Sequence, residues 1–143
     1  MLCVRHVGIV VQDLEQAIHF YQELLGLEVV QRSEESGPFL DDLLGLESTR
    51  ATTVKMSAAD GPTLVELLKF HSHPDNRRAA RPYSLGPTHV AFTVKNLQQR
   101  FERLRAQGIP FTTPPKPSPD GQALVTFCRD PEGNLIELVE VTP

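Results

Sequence analysis

No run of apolar residues in this chain approaches the roughly 18 needed to span a bilayer, so no membrane-crossing helix is expected. Basic charge is not in excess either. The 14 Lys and Arg stand against 18 Asp and Glu, a formal net charge of -4, which argues against a nucleic-acid partner. Cysteine is scarce: Cys3 and Cys128 lie far apart, read as reduced residues, and have no evident base beside them in sequence. The opening stretch MLCVRHVGIVV lacks a basic leader and a cleavage-like end, so it reads as a first strand and a cytoplasmic location is expected. What is present is ordinary for a soluble globular protein: 143 residues, 40% hydrophobic and 22% charged, a length that suits one compact domain.

The chain repeats itself. His6-Val7-Gly8-Ile9-Val10-Val11 matches His89-Val90-Ala91-Phe92-Thr93-Val94, and each run leads into a helix start, Asp13 to Gln16 and Asn96 to Gln99, with a capping Asp or Asn and a Gln three residues on. The first helix carries an apolar stripe of Leu14, Ala17, Ile18, Tyr21, Leu24 and Leu25, ending at Gly26; the second carries Leu97, Phe101 and Leu104, ending at Gly108. Strands are predicted over 27–32, 50–57 and 63–70 in the first half, and over 109–113, 122–129 and 134–141 in the second. Hairpin turns fall at 59–62 and 130–133, where Asp, Gly and Pro gather. The last strands also match, Leu64-Val65-Glu66-Leu67-Leu68 against Leu135-Ile136-Glu137-Leu138-Val139.

The reading is therefore βαβββ, linker, βαβββ, an α+β chain with module 1 at 1–70, a linker at 71–86 and module 2 at 87–143. The two His stand 83 positions apart and the two Glu 71, which places 12 extra residues in the first half. They fit 38–47, where Phe39, Leu40, Leu43 and Leu44 suggest a short amphipathic helix. The Pro-rich stretch 112–121 is expected to be an exposed loop.

Alternation along a strand puts Val7, Ile9 and Val11 on the face that meets the helix and leaves His6 on the other; Val90, Phe92 and Val94 leave His89 likewise. Glu66 and Glu137 sit within apolar strands, where a lone carboxylate is costly unless paired, protonated or bound to a metal. His6, Glu66, His89 and Glu137 thus form a pseudo-twofold set suited to a divalent Zn, Ni, Fe, Mn or Co ion, with two coordination positions left for water or substrate oxygens. His71 and His73 fall in the hydrophilic linker and His19 on the polar face of the first helix, so all three are read as surface residues. Arg77, Arg78 and Arg81 could clamp an anion or could equally be solvated.

The motif His6-Val-Gly-Ile-Val-Val-x-Asp-Leu, with Phe20-Tyr21 and Leu25-Gly26-Leu27, resembles the opening of glyoxalase I, methylmalonyl-CoA epimerase and bleomycin-resistance proteins. Gly86-Pro-Thr-His-Val-Ala-Phe resembles the start of their second module, and Asp130-Pro-Glu-Gly-Asn-Leu-Ile-Glu137 their closing hairpin. This resemblance to the vicinal oxygen chelate superfamily covers nearly the whole chain. It implies two βαβββ modules forming an incomplete eight-stranded barrel around a metal, with His6, Glu66, His89 and Glu137 at the ligand positions of glyoxalase I. It further implies a metal-dependent lyase or isomerase for a small substrate that chelates through neighbouring oxygens, with one glutamate, Glu66 or Glu137, moving a proton by way of an enediolate, and modules paired either within one chain or across two; a homodimer is expected because exposed edge strands need cover. An Fe(II) extradiol-type dioxygenase, which would use His6, His89 and Glu137, and a non-catalytic binder of the bleomycin-resistance kind are the alternatives. No glutathione-recognising set of residues can be matched.

Overall fold

In the computed structural model, residues 2–59, 61, 63–75 and 81–142 are described. The chain divides into two compact units, Met1–Arg77 and Arg78–Pro143. In the first unit β1 (His6–Val10) leads into α1 (Leu14–Ile18), which runs on as a π-helical stretch His19–Leu24. There follow β2 (Glu28–Ser36), α2 (Pro38–Leu44), β3 (Arg50–Ser57) and β4 (Leu64–Phe70). The second unit holds β5 (His89–Thr93), α3 (Leu97–Ala106), a two-residue β6 (Lys116–Pro117), β7 (Ala123–Arg129) and β8 (Leu135–Val141).

Each unit builds one open four-stranded sheet, ordered β1-β4-β3-β2 in the first and β5-β8-β7-β6 in the second. First and last strands pair in parallel, β1 with β4 and β5 with β8, while the other neighbours pair antiparallel. This is the α+β arrangement of strand, helix and three further strands read from the repeat, once in each unit.

The helical face of the first sheet is closed by Ile9, Val11, Val54, Met56, Val65 and Leu67, all buried, together with Leu14, Ala17, Phe20, Tyr21 and Leu24 from the helix. Leu14, Ala17, Tyr21 and Leu24 of the expected stripe are buried, Ile18 and Leu25 only partly so, and Phe20, outside it, is 1% exposed. Leu25 closes the π-helical stretch, its N–H reaching back five residues to the Phe20 carbonyl at 3.0 Å. An i-to-i+5 turn breaks the 3.6-residue register, so the face after it differs from the one an α-helix would present.

The repeat predicts equivalent caps on the two helices, and the structure separates them. Asp13 accepts from Gln16 N–H at 3.0 Å, an ordinary N-cap. Asn96 sits in the left-handed region at φ 54° and makes no side-chain cap bond. Glu140, from β8, does the work instead, accepting from Asn96 N–H at 2.7 Å and Leu97 N–H at 3.0 Å. A carboxylate at a helix N-terminus also meets the positive end of the helix dipole.

Three further expectations are corrected. The strand predicted at 109–113 is reduced to a single bridge between Phe111 and Cys128, and the edge ladder forms at Lys116–Pro117, inside the segment read as a loop. Proline cannot donate to a ladder, and Pro110, Pro114 and Pro115 interrupt this run. Strand β2 extends beyond 32 to Ser36 because its polar end pairs with β3, where Thr52 and Thr53 donate to Glu34 and Glu35. The helix in 38–47 exists, but it buries none of its residues: Phe39 is 78% exposed and Leu43 67%. The turn at 59–62 lies partly outside the described residues. The turn at 130–133 is held by buried Asp130, which accepts from Glu132 N–H at 3.0 Å and from Asn134 N–H at 2.8 Å.

Two contrasts test these assignments by chemical denaturation. Glu140→Ala should lower stability by about 1–2 kcal/mol, whereas Asn96→Gly should leave it unchanged or raise it by relieving the left-handed backbone. Phe20→Ala should cost about 3–5 kcal/mol and the exposed Phe39→Ala under about 0.5 kcal/mol; equal losses would refute the burial of Phe20.

Candidate metal centre

Strand register determines which side chains share a face. Gly8 is the parallel partner of Glu66, so His6 lies on the same face two positions away. His6 Nε2 is 3.0 Å from Glu66 Oε2. In the second unit Ala91 is the partner of Glu137, and His89 Nε2 is 3.2 Å from Glu137 Oε2. Each unit therefore brings its own His and Glu together, on the face turned away from the helix. The carboxylates are the more buried members: side-chain exposure is 11% for Glu66 and 23% for Glu137, against 40% and 38% for His6 and His89.

The donor atoms suit a metal. Two ligands each about 2.1 Å from a cation and at right angles to one another stand about 3.0 Å apart, close to both separations. Imidazole nitrogen and carboxylate oxygen match the borderline divalent ions of the first transition row. His89 has a further support that sequence reading missed: Thr88 Oγ1 is 2.9 Å from its Nδ1. When Nδ1 donates to that hydroxyl, Nε2 keeps its lone pair for a ligand. Phe127 adds an edge contact to the His89 ring, with centroids 5.3 Å apart. The only trace of Thr88 in the sequence was its position directly before a candidate ligand. Among the described residues, no group of three or more His, Cys, Asp or Glu side chains gathers into a metal-capable cluster, so what is described is one pair in each unit.

The remaining candidates fall elsewhere. His19 is exposed on its helix. His71 is a surface residue whose Nε2 lies 2.7 Å from Thr52 Oγ1, a hydroxyl that also donates to Glu34, and His73 contacts Ser72 Oγ at 2.9 Å. Arg81 is engaged locally, donating to the Tyr83 hydroxyl at 2.8 Å; Arg77 and Arg78 lie outside the described residues. A cavity of about 340 Å³ in the second unit is lined by α3 and the 109–114 segment and includes none of the four ligand-type residues.

With the site geometry in place, comparison with known proteins is direct. Residues 4–138 match the Glyoxalase/Bleomycin resistance protein/Dioxygenase superfamily. The chain belongs to this superfamily. The uncharacterized protein YwkD of Bacillus subtilis (strain 168) is 31% identical over 139 residues, covering 96% of this chain and 95% of that protein. Lactoylglutathione lyase of Haemophilus influenzae is 26% identical, covering 96% of this chain and 91% of that enzyme. A crystal structure of a glyoxalase family protein from Bacillus cereus superposes with a TM-score of 0.91 at 29% identity, covering 100% of this chain and 96% of that one. Superfamily membership accounts for the open four-stranded sheets.

The two thiols differ sharply in environment. Burial, reinforced by the charge of Asp130, pushes the Cys128 thiol up to about 12, so it stays protonated and unreactive at any pH below that; Cys3 is exposed. At pH 8 an aromatic disulfide reagent should therefore titrate one thiol in the folded protein and two after denaturation. Rapid modification of both in the native state would contradict the burial of Cys128.

Proposed function

We propose that His6, Glu66, His89 and Glu137 are ligands for a divalent cation of the Zn, Ni, Co, Mn or Fe group, and that the protein is a metal-dependent lyase or isomerase for a small molecule bearing vicinal oxygens. The observation that carries this reading is the duplicated pair: each unit independently sets one imidazole Nε2 within 3.0–3.2 Å of one carboxylate oxygen at equivalent repeat positions. A cation held there supplies Lewis acidity for negative charge developing on adjacent substrate oxygens.

The protein's own groups then divide the work. Glu66 is the proposed base: its carboxylate takes a proton from the substrate carbon beside the carbonyl and returns it to the neighbouring carbon, so the net change is a proton shift. Gly8, its register partner, contributes no side chain, and the Leu68 side chain packs close against it, 3.1 Å from where a Cβ would stand. Glu137 is the steadier ligand, working beside a His89 ring held by Thr88 and Phe127. Lactoylglutathione lyase among the relatives supports a lyase reading. We further propose a homodimer, for which the exposed Phe39, Leu43 and Leu44 of α2 offer apolar surface.

Elemental analysis of protein purified without chelator should find a divalent metal, with less of it in His6→Ala and in His89→Ala. Unchanged metal content in both variants would refute the ligand assignment. Glu66→Gln should keep the metal and lower turnover of a hemithioacetal or epimerisable substrate by about 10²–10⁴-fold. Full activity in that variant would transfer the base role elsewhere. Light scattering should return the mass of a dimer; a monomer at micromolar concentration would refute the assembly.

A further inference from the structure

This inference rests on the chelating site proposed above and specifies the substrate it takes. At the level of Glu66 the registers of the first sheet align Gly8, Glu66, Lys55 and Gln31 in one row across one face. Lys55 is directly opposite Glu66, so the two side chains stand beside each other. Lys55 is partly buried, and among the described residues it has no hydrogen-bond or ion-pair partner. The carboxylate beside it is already engaged, since Glu66 lies 3.0 Å from His6.

The corresponding row in the second sheet is Ala91, Glu137 and Phe127. Its aromatic ring, in the position of Lys55, packs on His89. The repeat thus keeps the His and Glu pair in both units but breaks the symmetry beside it, with an ammonium in one and an aromatic ring in the other. The stem of Lys55 is partly buried, but its ammonium is not among the buried, unpartnered polar atoms, so it stays open to an anion arriving with the substrate. A lysine suits this task as a compact point charge on a flexible stem.

We propose that Lys55 is a specificity residue that binds a carboxylate of the substrate, which is therefore a vicinal-oxygen compound carrying a second, anionic end. Gln31, next in the row, already donates its amide to Ser33 Oγ at 3.2 Å, which leaves Lys55 to hold the carboxylate. The substrate class is a small oxo or hydroxy acid whose extra carboxylate reaches past Glu66 along the row.

Calorimetric titration of the Ni(II)-loaded protein with 2-oxoglutarate and with 2-oxopentanoate tests this, since the two share an oxo-acid end and differ only in a distal carboxylate or methyl. The expected result is tighter binding of 2-oxoglutarate by about tenfold or more. Lys55→Met should abolish the preference while leaving 2-oxopentanoate binding intact, and Lys55→Arg should retain much of it. Equal affinities in the unaltered protein would overturn the proposal whatever the variants do. Equal weakening of both ligands by Lys55→Met would also overturn it, because Lys55 would then serve only to neutralise Glu66. Metal-independent binding of 2-oxoglutarate that still requires Lys55 would uphold the anion site and remove the chelate; binding of neither probe to the loaded protein would remove both.

Discussion

The parallel pairing of the first and last strands in each unit is the constraint on which the candidate site depends. It places Gly8 beside Glu66 and Ala91 beside Glu137, and the two-residue period of a strand does the rest. A slip of one residue in either pairing would turn the His to the helical face and the Glu to the opposite one. Apolar burial resists such a slip, because Ile9 and Val11 on one strand and Val65 and Leu67 on the other must stay against the helix. The polar face is therefore registered by the apolar face behind it. Glu66 can be buried within an apolar strand because His6 stands 3.0 Å from it.

The two units solve the same problem with different parts. The first caps its helix with the local Asp13, the second with the distant Glu140. The first edges its sheet with a nine-residue strand, the second with two residues among prolines. Beside the carboxylate, the first carries a lysine and the second a phenylalanine. Backbone topology tolerates such divergence because hydrogen-bond pairing is indifferent to side-chain identity, while the site chemistry is not.

Much of the fold was legible because its signals are local. The His6 and His89 strands, the Leu97, Phe101 and Leu104 stripe, and the 130–133 turn are each written within a dozen residues, and each lies where the pattern indicates. The misses share a cause of another kind. The π-helical stretch, the Glu140 cap and the displaced edge strand all depend on partners remote in sequence or on a hydrogen-bond register that propensity does not encode. The helix in 38–47 was found for its periodicity, yet the same periodicity wrongly implied burial, since an apolar stripe records a preference and not the presence of a partner.

Sequence alone indicated the duplication and the succession of most strands and helices along each half, and it singled out His6, Glu66, His89 and Glu137 as candidates, because matched patterns and side-chain alternation need no knowledge of distance. Tertiary structure decided that His6 meets Glu66 and His89 meets Glu137 at about hydrogen-bonding separation, that Thr88 steadies one imidazole, and that Lys55 stands beside Glu66. Those facts follow from strand register between segments some sixty residues apart in the first unit and nearly fifty in the second, a relation that exists only once the chain has closed on itself.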